Sequence, residues 1–106
     1  MGKFSLIGPS HPANFQAIPA NPKEIVLTWK SPSNPNGVIL NYNIYFKARG
    51  DVGQPRRRVV QASAPKEYRV QNLRVKREYV FWMAAVTSKG EGNSTEHKIA
   101  FTAEHG

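Results

Sequence analysis

The chain has 106 residues, a hydrophobic fraction of 40 % and no cysteine, which fits one ordinary domain and excludes a disulfide framework, a thiolate metal site and cysteine catalysis. Fifteen Lys and Arg against seven Asp and Glu give a formal charge of +8, which favours acidic or polyanionic partners. No apolar run approaches the roughly 20 residues of a membrane span, and Met1 to Ile7 is too short for the apolar region of a signal peptide.

Along the chain, apolar and polar residues alternate over short stretches broken by Pro, Gly and Asn, the period-2 signature of half-buried strands. No long helix is expected. Met1 and Gly2 read as residues left by expression, and residues 1–11, which include the stiff Gly8-Pro9-Ser10-His11-Pro12, read as a leading linker. The first strand places Phe15 and Ala17 inward and ends at an Asn21-Pro22 turn. In the second, Ile25, Leu27 and Trp29 share one face, which puts Trp29 in the core. After a loop of turn-forming residues from Ser31 to Gly37, the third strand sets Leu40, Tyr42, Ile44 and Phe46 inward and Asn41, Asn43, Tyr45 and Lys47 outward. A Gly-rich loop containing Arg49-Gly50-Asp51 leads to a short basic fourth strand from Arg56 to Ala62. Tyr68, Val70 and Leu73 are the inward set of the fifth strand. Tyr79, Phe81, Met83 and Ala85 are that of the sixth, with Val80, Trp82, Ala84 and Val86 outward. After a loop from Ser88 to Asn93, the last strand runs from Glu96 to Ala103 with Ile99 and Phe101 on one face.

The order Trp29, then Tyr42-Asn43-Ile44-Tyr45-Phe46, then Leu73 with Tyr79 six residues on, resembles a fibronectin type III domain. Pro12, Asn14 and Phe15 resemble the start of its first strand, and Ala85, Gly90, Gly92 and Ser94 fit its sixth-to-seventh-strand segment. The resemblance covers about nine-tenths of the chain, from Pro12 to Thr102, and rests on many weak matches in the right order. It implies an all-β fold, a seven-stranded immunoglobulin-like β-sandwich, with Leu73 and Tyr79 forming a tyrosine corner whose hydroxyl bonds to backbone upstream. The domain is expected over residues 12–103, with 104–106 a tail. Arg74-Val75-Lys76-Arg77 departs from the family, which usually has Pro and small polar residues in that turn, and makes one end of the domain unusually basic.

Nothing suggests catalysis. His11, His97 and His105 lie near the ends without ligand spacing, Asp51 is the one aspartate, and the glutamates are dispersed with no Gly-rich phosphate loop beside them. The chain therefore reads as no enzyme and as needing no cofactor or metal.

Four surface features remain, each with a bland alternative. Arg49-Gly50-Asp51 resembles the integrin-binding tripeptide, but it lies between the third and fourth strands rather than the sixth and seventh; Gly50 serving a turn is the stronger reading. The clusters Lys47, Arg49, Arg56, Arg57, Arg58 and Lys66, Arg69, Arg74, Lys76, Arg77 are expected to meet in part where the fourth and fifth strands form one edge. That edge suits a heparin-like polyanion, against edge protection as the alternative, and no nucleic-acid motif accompanies it. Tyr45 and Trp82 face solvent together, either as a protein-binding patch or, as the stronger reading, beneath Arg57 or Arg58 in a cation–π stack. Asn93-Ser94-Thr95 is the one N-glycosylation sequon, expected on an exposed loop.

These readings converge on a module from the extracellular region of a multidomain cell-surface adhesion or receptor protein. Its expected partners are other domains of its parent chain or another cell-surface protein, without membrane insertion. A glycosaminoglycan-binding module or an intracellular muscle-type scaffold module is the alternative.

Overall fold

The structure is a computed structural model that describes residues 8–102. The readings placed on Met1 to Ile7, Ala103, His105 and the tail lie outside the described residues. Eight strands follow one another: β1 (Ala13–Asn21), β2 (Glu24–Lys30), β3 (Asn41–Ala48), β4 (Arg56–Gln61), β5 (Glu67–Val70), β6 (Glu78–Thr87), β7 (Gly90–Ser94) and β8 (Lys98–Phe101). One antiparallel sheet has the order β1-β2-β5, and the other β4-β3-β6-β7 with β8 also on β6. β7 and β8 pair with successive lengths of β6 and together make one seventh strand interrupted at Thr95 to His97; β8 falls within the stretch expected as the last strand, whereas β7 occupies most of the stretch expected as loop. The expected seven-stranded sandwich is present, with its last strand broken.

Alternation along each strand makes the core. Phe15, Ile25, Leu27, Trp29 and Val70 from the first sheet meet Tyr42, Ile44, Phe46, Val60, Phe81, Met83 and Ala85 from the second, all buried. Each of the larger aliphatic and Phe side chains among them stabilises the fold by about 1.5–3 kcal/mol on transfer from water. Trp29 packs against Tyr42 at 5.5 Å between ring centres and Phe46 against Phe81 at 5.8 Å. The indole Nε1 of Trp29 is enclosed without an acceptor.

Leu40 departs from the expected inward set and is 49 % exposed. β3 begins only at Asn41; the residues before it follow the loop, and Ile39 packs against the core instead. Asn43 and Ala84, expected outward, are nevertheless buried, Asn43 donating to the Glu91 carboxylate that arches over it. Ile99 and Phe101 do share a face, but it is the solvent face; Ala100 and Thr102 are the buried residues of that segment. The expected loop from Ser88 to Asn93 is shorter than its composition suggests. Gly90, at φ 119°, closes a tight turn at Ser88-Lys89, and β7 starts there.

Both ends of the sandwich are fastened. At one, Ser10 N–H donates to Asn34 O at 2.9 Å, Asn93 N–H to Pro9 O at 3.1 Å and Asn36 Nδ2 to Gly8 O at 3.0 Å. At the other, Arg74 N–H donates to the Tyr79 hydroxyl oxygen at 2.9 Å, which is the tyrosine corner. Thr102 Oγ1 closes the same turn, accepting from Arg77 N–H at 2.9 Å and donating to Arg74 O at 2.6 Å. Tyr79→Phe is expected to destabilise the domain by about 0.5–1.5 kcal/mol, measured by urea denaturation. An unchanged midpoint would mean that water replaces the hydroxyl at no cost.

Candidate partner-binding surfaces

Register places the outward residues of the larger sheet in rows across its strands. Arg57 on β4 lies opposite Tyr45 on β3, which lies opposite Trp82 on β6. Tyr45 and Trp82 stack at 5.9 Å with 15° between planes, and His97 stacks on the far side of Trp82 at 4.3 Å and 19°. Three rings thus form a ladder, each contact contributing about 0.5–1.5 kcal/mol beyond burial. His97 reaches the indole because the chain leaves β6 between β7 and β8 and returns at Lys98. The next row pairs Val80 with Ile99, and the one after pairs Glu78 with Phe101; Ile99 and Phe101 are 51 % and 52 % exposed. The ladder therefore continues into an aliphatic and aromatic strip. In the sequence His97 shows only the absence of ligand spacing, yet it has the same odd parity as Ile99 and Phe101, which is the signal that marks it as a member of that face.

Tyr45 is held by its hydroxyl, which donates to Glu91 Oε2 at 2.7 Å. Burial, then the Glu91 hydrogen bond and charge, raise its pKa above the ordinary tyrosine value. The folded state favours the protonated phenol, so this contribution is complete below the unfolded value and is lost as pH rises through the folded one. In an ultraviolet titration Tyr45 is expected to ionise above the ordinary range, and Glu91→Gln to lower that midpoint without restoring it fully, since burial remains. An unshifted midpoint in Glu91→Gln would remove Glu91 from the account.

The expected arginine over Trp82 is elsewhere. Arg56 and Arg58 alternate with Arg57 and lie on the core side of β4, with guanidinium carbons 6.0 Å and 5.4 Å from the centre of the Phe46 ring. Only Arg57 shares the outer face with Tyr45, and both recorded ring partners of Trp82 are aromatic. The expected meeting of the two basic clusters along the β4 and β5 edge also fails for Arg69. Its guanidinium turns to Glu24 on β2 at 2.8 Å, and Arg69, then Asn21, hold the Glu24 carboxyl below its usual range. The clusters converge instead at the pole where the β3–β4 loop faces the turn before β6: Arg56 and Arg74 line one open cleft there, of about 310 Å³.

In the Arg49-Gly50-Asp51 segment, Gly50 has φ 91° and Asp51 N–H donates to Ala48 O at 3.1 Å, closing a turn. Arg49 is bound to Glu78 at 2.9 Å, while Asp51 is exposed. Asn93 is exposed on β7 rather than on a loop, and Thr95 of its sequon is buried, its hydroxyl accepting from Met83 N–H at 3.1 Å. Among the described residues no three His, Asp or Glu gather as a metal site would require, and no helix is long and apolar enough to cross a membrane.

The model of the family "Fibronectin type III domain" matches residues 10–101. The chain belongs to the fibronectin type III family. Among curated proteins, this fibronectin type III domain is 40 % identical over 90 residues to the cell adhesion molecule DSCAML1 of Homo sapiens, covering 83 % of this chain and 4 % of that protein. It is 34 % identical over 92 residues to the human cell adhesion molecule DSCAM, again covering 83 % of this chain and 4 % of the relative. The chain thus spans a small part, about 4 %, of the length of these adhesion-molecule relatives. Among solved structures it is similar to the FN5 domain of Drosophila Lar, with a TM-score of 0.73, 27 % identity, and coverage of 90 % of this chain and 97 % of that one.

Proposed function

We propose that this fibronectin type III domain is a non-catalytic extracellular module of a cell adhesion protein, and that it contacts a protein partner through the outer face of its larger sheet. The observation that carries this reading is the Tyr45–Trp82–His97 ladder extended by Ile99 and Phe101. Large rigid aromatics dominate interface energies because they bury much area at little entropic cost, and soluble domains seldom leave such strips uncovered. Arg57 beside Tyr45, on a chain of charge +8, matches a partner with an apolar patch and an acidic rim. The adhesion-molecule relatives support contact with protein as the general role.

The test is binding of a bivalent Fc fusion of the domain to cultured cells pretreated with heparinase, so that surface polysaccharide cannot contribute. Trp82→Ala is expected to reduce binding at least about tenfold, as hot-spot truncation does, while Val52→Ala on the remote β3–β4 loop leaves it unchanged. Equal binding by native and Trp82→Ala fusions would sink the proposal. Secretion of the domain with a glycosidase-sensitive mass shift at Asn93 is the separate check on its extracellular origin; secretion without that shift would remove the sequon as support.

A further inference from the structure

We infer that the cleft between the β3–β4 loop and the turn preceding β6 is a binding site for a sulfated polysaccharide, distinct from the aromatic face. Its cationic walls are Lys47 and Arg56 on one side and Arg74 on the other, against one carboxylate, that of Asp51. Arg56 and Arg74 have no carboxylate partner among the described residues, whereas Arg49 and Arg69 are each taken up by a glutamate. Two of the guanidiniums that have no carboxylate partner therefore line this cleft. Each is anchored through its backbone: Arg56 by the β3–β4 ladder opposite Phe46, and Arg74 by its N–H bond to the Tyr79 hydroxyl. Two planar forks held from opposite sides suit the bidentate binding of oxyanions.

The rest of the lining decides the kind of anion carrier. Phe46 and Tyr79 form the floor but are 1 % and 7 % exposed, so the cleft offers an apolar side chain no pocket. Gln54 and Asn72 add side-chain amides that can meet sugar hydroxyls. Two more cations stand beside the cleft. Arg58, two residues along the same face of β4, has its guanidinium carbon 5.4 Å from the centre of the Phe46 ring that floors the cleft, and Arg77 is exposed in the same turn as Arg74. Several cations gathered in and around a polar cleft fit a chain of repeated anions better than a single one.

The experiment is calorimetric titration of the native domain with a heparin-derived octasaccharide at about 0.15 M salt, where distant charges are screened. Two double variants remove equal charge: Arg56→Gln with Arg74→Gln in the cleft, and Arg57→Gln with Arg69→Gln outside it. The cleft pair is expected to weaken binding at least about tenfold and to lower the slope of log affinity against log salt by about two, the outer pair less than about twofold. Equal losses in the two variants would reduce the effect to net charge and overturn the site. So would absence of binding by the native domain, and so would poly-glutamate binding as tightly as the octasaccharide, which would assign the cleft to acidic protein. Should the cleft variant unfold, nitrogen–proton spectra of the native domain decide: octasaccharide must shift the side-chain amides of Gln54 and Asn72, and unmoved amides refute the assignment.

Discussion

Phe81→Ala is expected to lower the free energy of unfolding by about 3–5 kcal/mol, because it removes a fully buried ring and leaves a cavity that a close-packed sandwich fills only in part. Phe81 lies opposite Phe46 in the ladder, stacks on it at 5.8 Å and also touches the Tyr79 ring at 6.4 Å. The loss would therefore spread along the inner face of the larger sheet and to the tyrosine corner. Domains of this size hold about 5–15 kcal/mol in all, so the variant should sit close to its unfolding midpoint in mild urea. Phe101→Ala is the control. Its ring is half exposed, and the change should stay within about 0.5 kcal/mol. A loss below about 1 kcal/mol for Phe81→Ala would mean that the two sheets can close up over the vacated space.

Gly92→Ala is expected to cost about 1–3 kcal/mol, the range for forcing extra carbon into a packed site. A Cβ at Gly92 would run into the Pro9 carbonyl oxygen and come within 2.6 Å of its Cγ, and a Cβ at Gly8 would in turn come within 3.0 Å of the Gly92 Cα. The segment from Gly8 to Ser10 can yield only by giving up its hydrogen bonds to Asn34, Asn36 and Asn93. Faster hydrogen exchange at the Ser10 and Asn93 amides should accompany the lost stability. Unchanged exchange at both would show that the strap and β7 are not coupled. Gly50→Ala separates this effect from backbone preference: Gly50 has φ 91° but nothing within 4 Å, so only the left-handed penalty of about 1–2 kcal/mol applies.

The core was legible because its rule is local. Ile25, Leu27 and Trp29, or Tyr42, Ile44 and Phe46, announce an inward face by alternation alone, and the same rule set Tyr45 and Trp82 outward. What escaped depends on distant parts of the chain. Whether an arginine on β4 lies over Trp82 or Phe46 is decided by parity across the β3–β4 register, which puts Arg58 opposite Ile44 and Arg57 opposite Tyr45. The capture of Arg69 by Glu24 needs β5 to lie beside β2, a pairing between segments about 40 residues apart. His97 joins the ladder only because the last strand breaks before it. Composition misled where turn-rich residues continued past the turn itself: Gly90 to Ser94 reads as loop and is strand, since one glycine of positive φ suffices to reverse the chain.

The interruption at Thr95 to His97 has an effect beyond placing a histidine. It divides one border of the larger sheet into two short runs, β7 and β8, with Thr95 committed to Met83 between them. A continuous border would be a template for any passing strand, and modules carried on one long polypeptide meet each other at effective concentrations approaching millimolar. A border that accepts no long strand guards the domain against edge-to-edge pairing with any strand brought close to it.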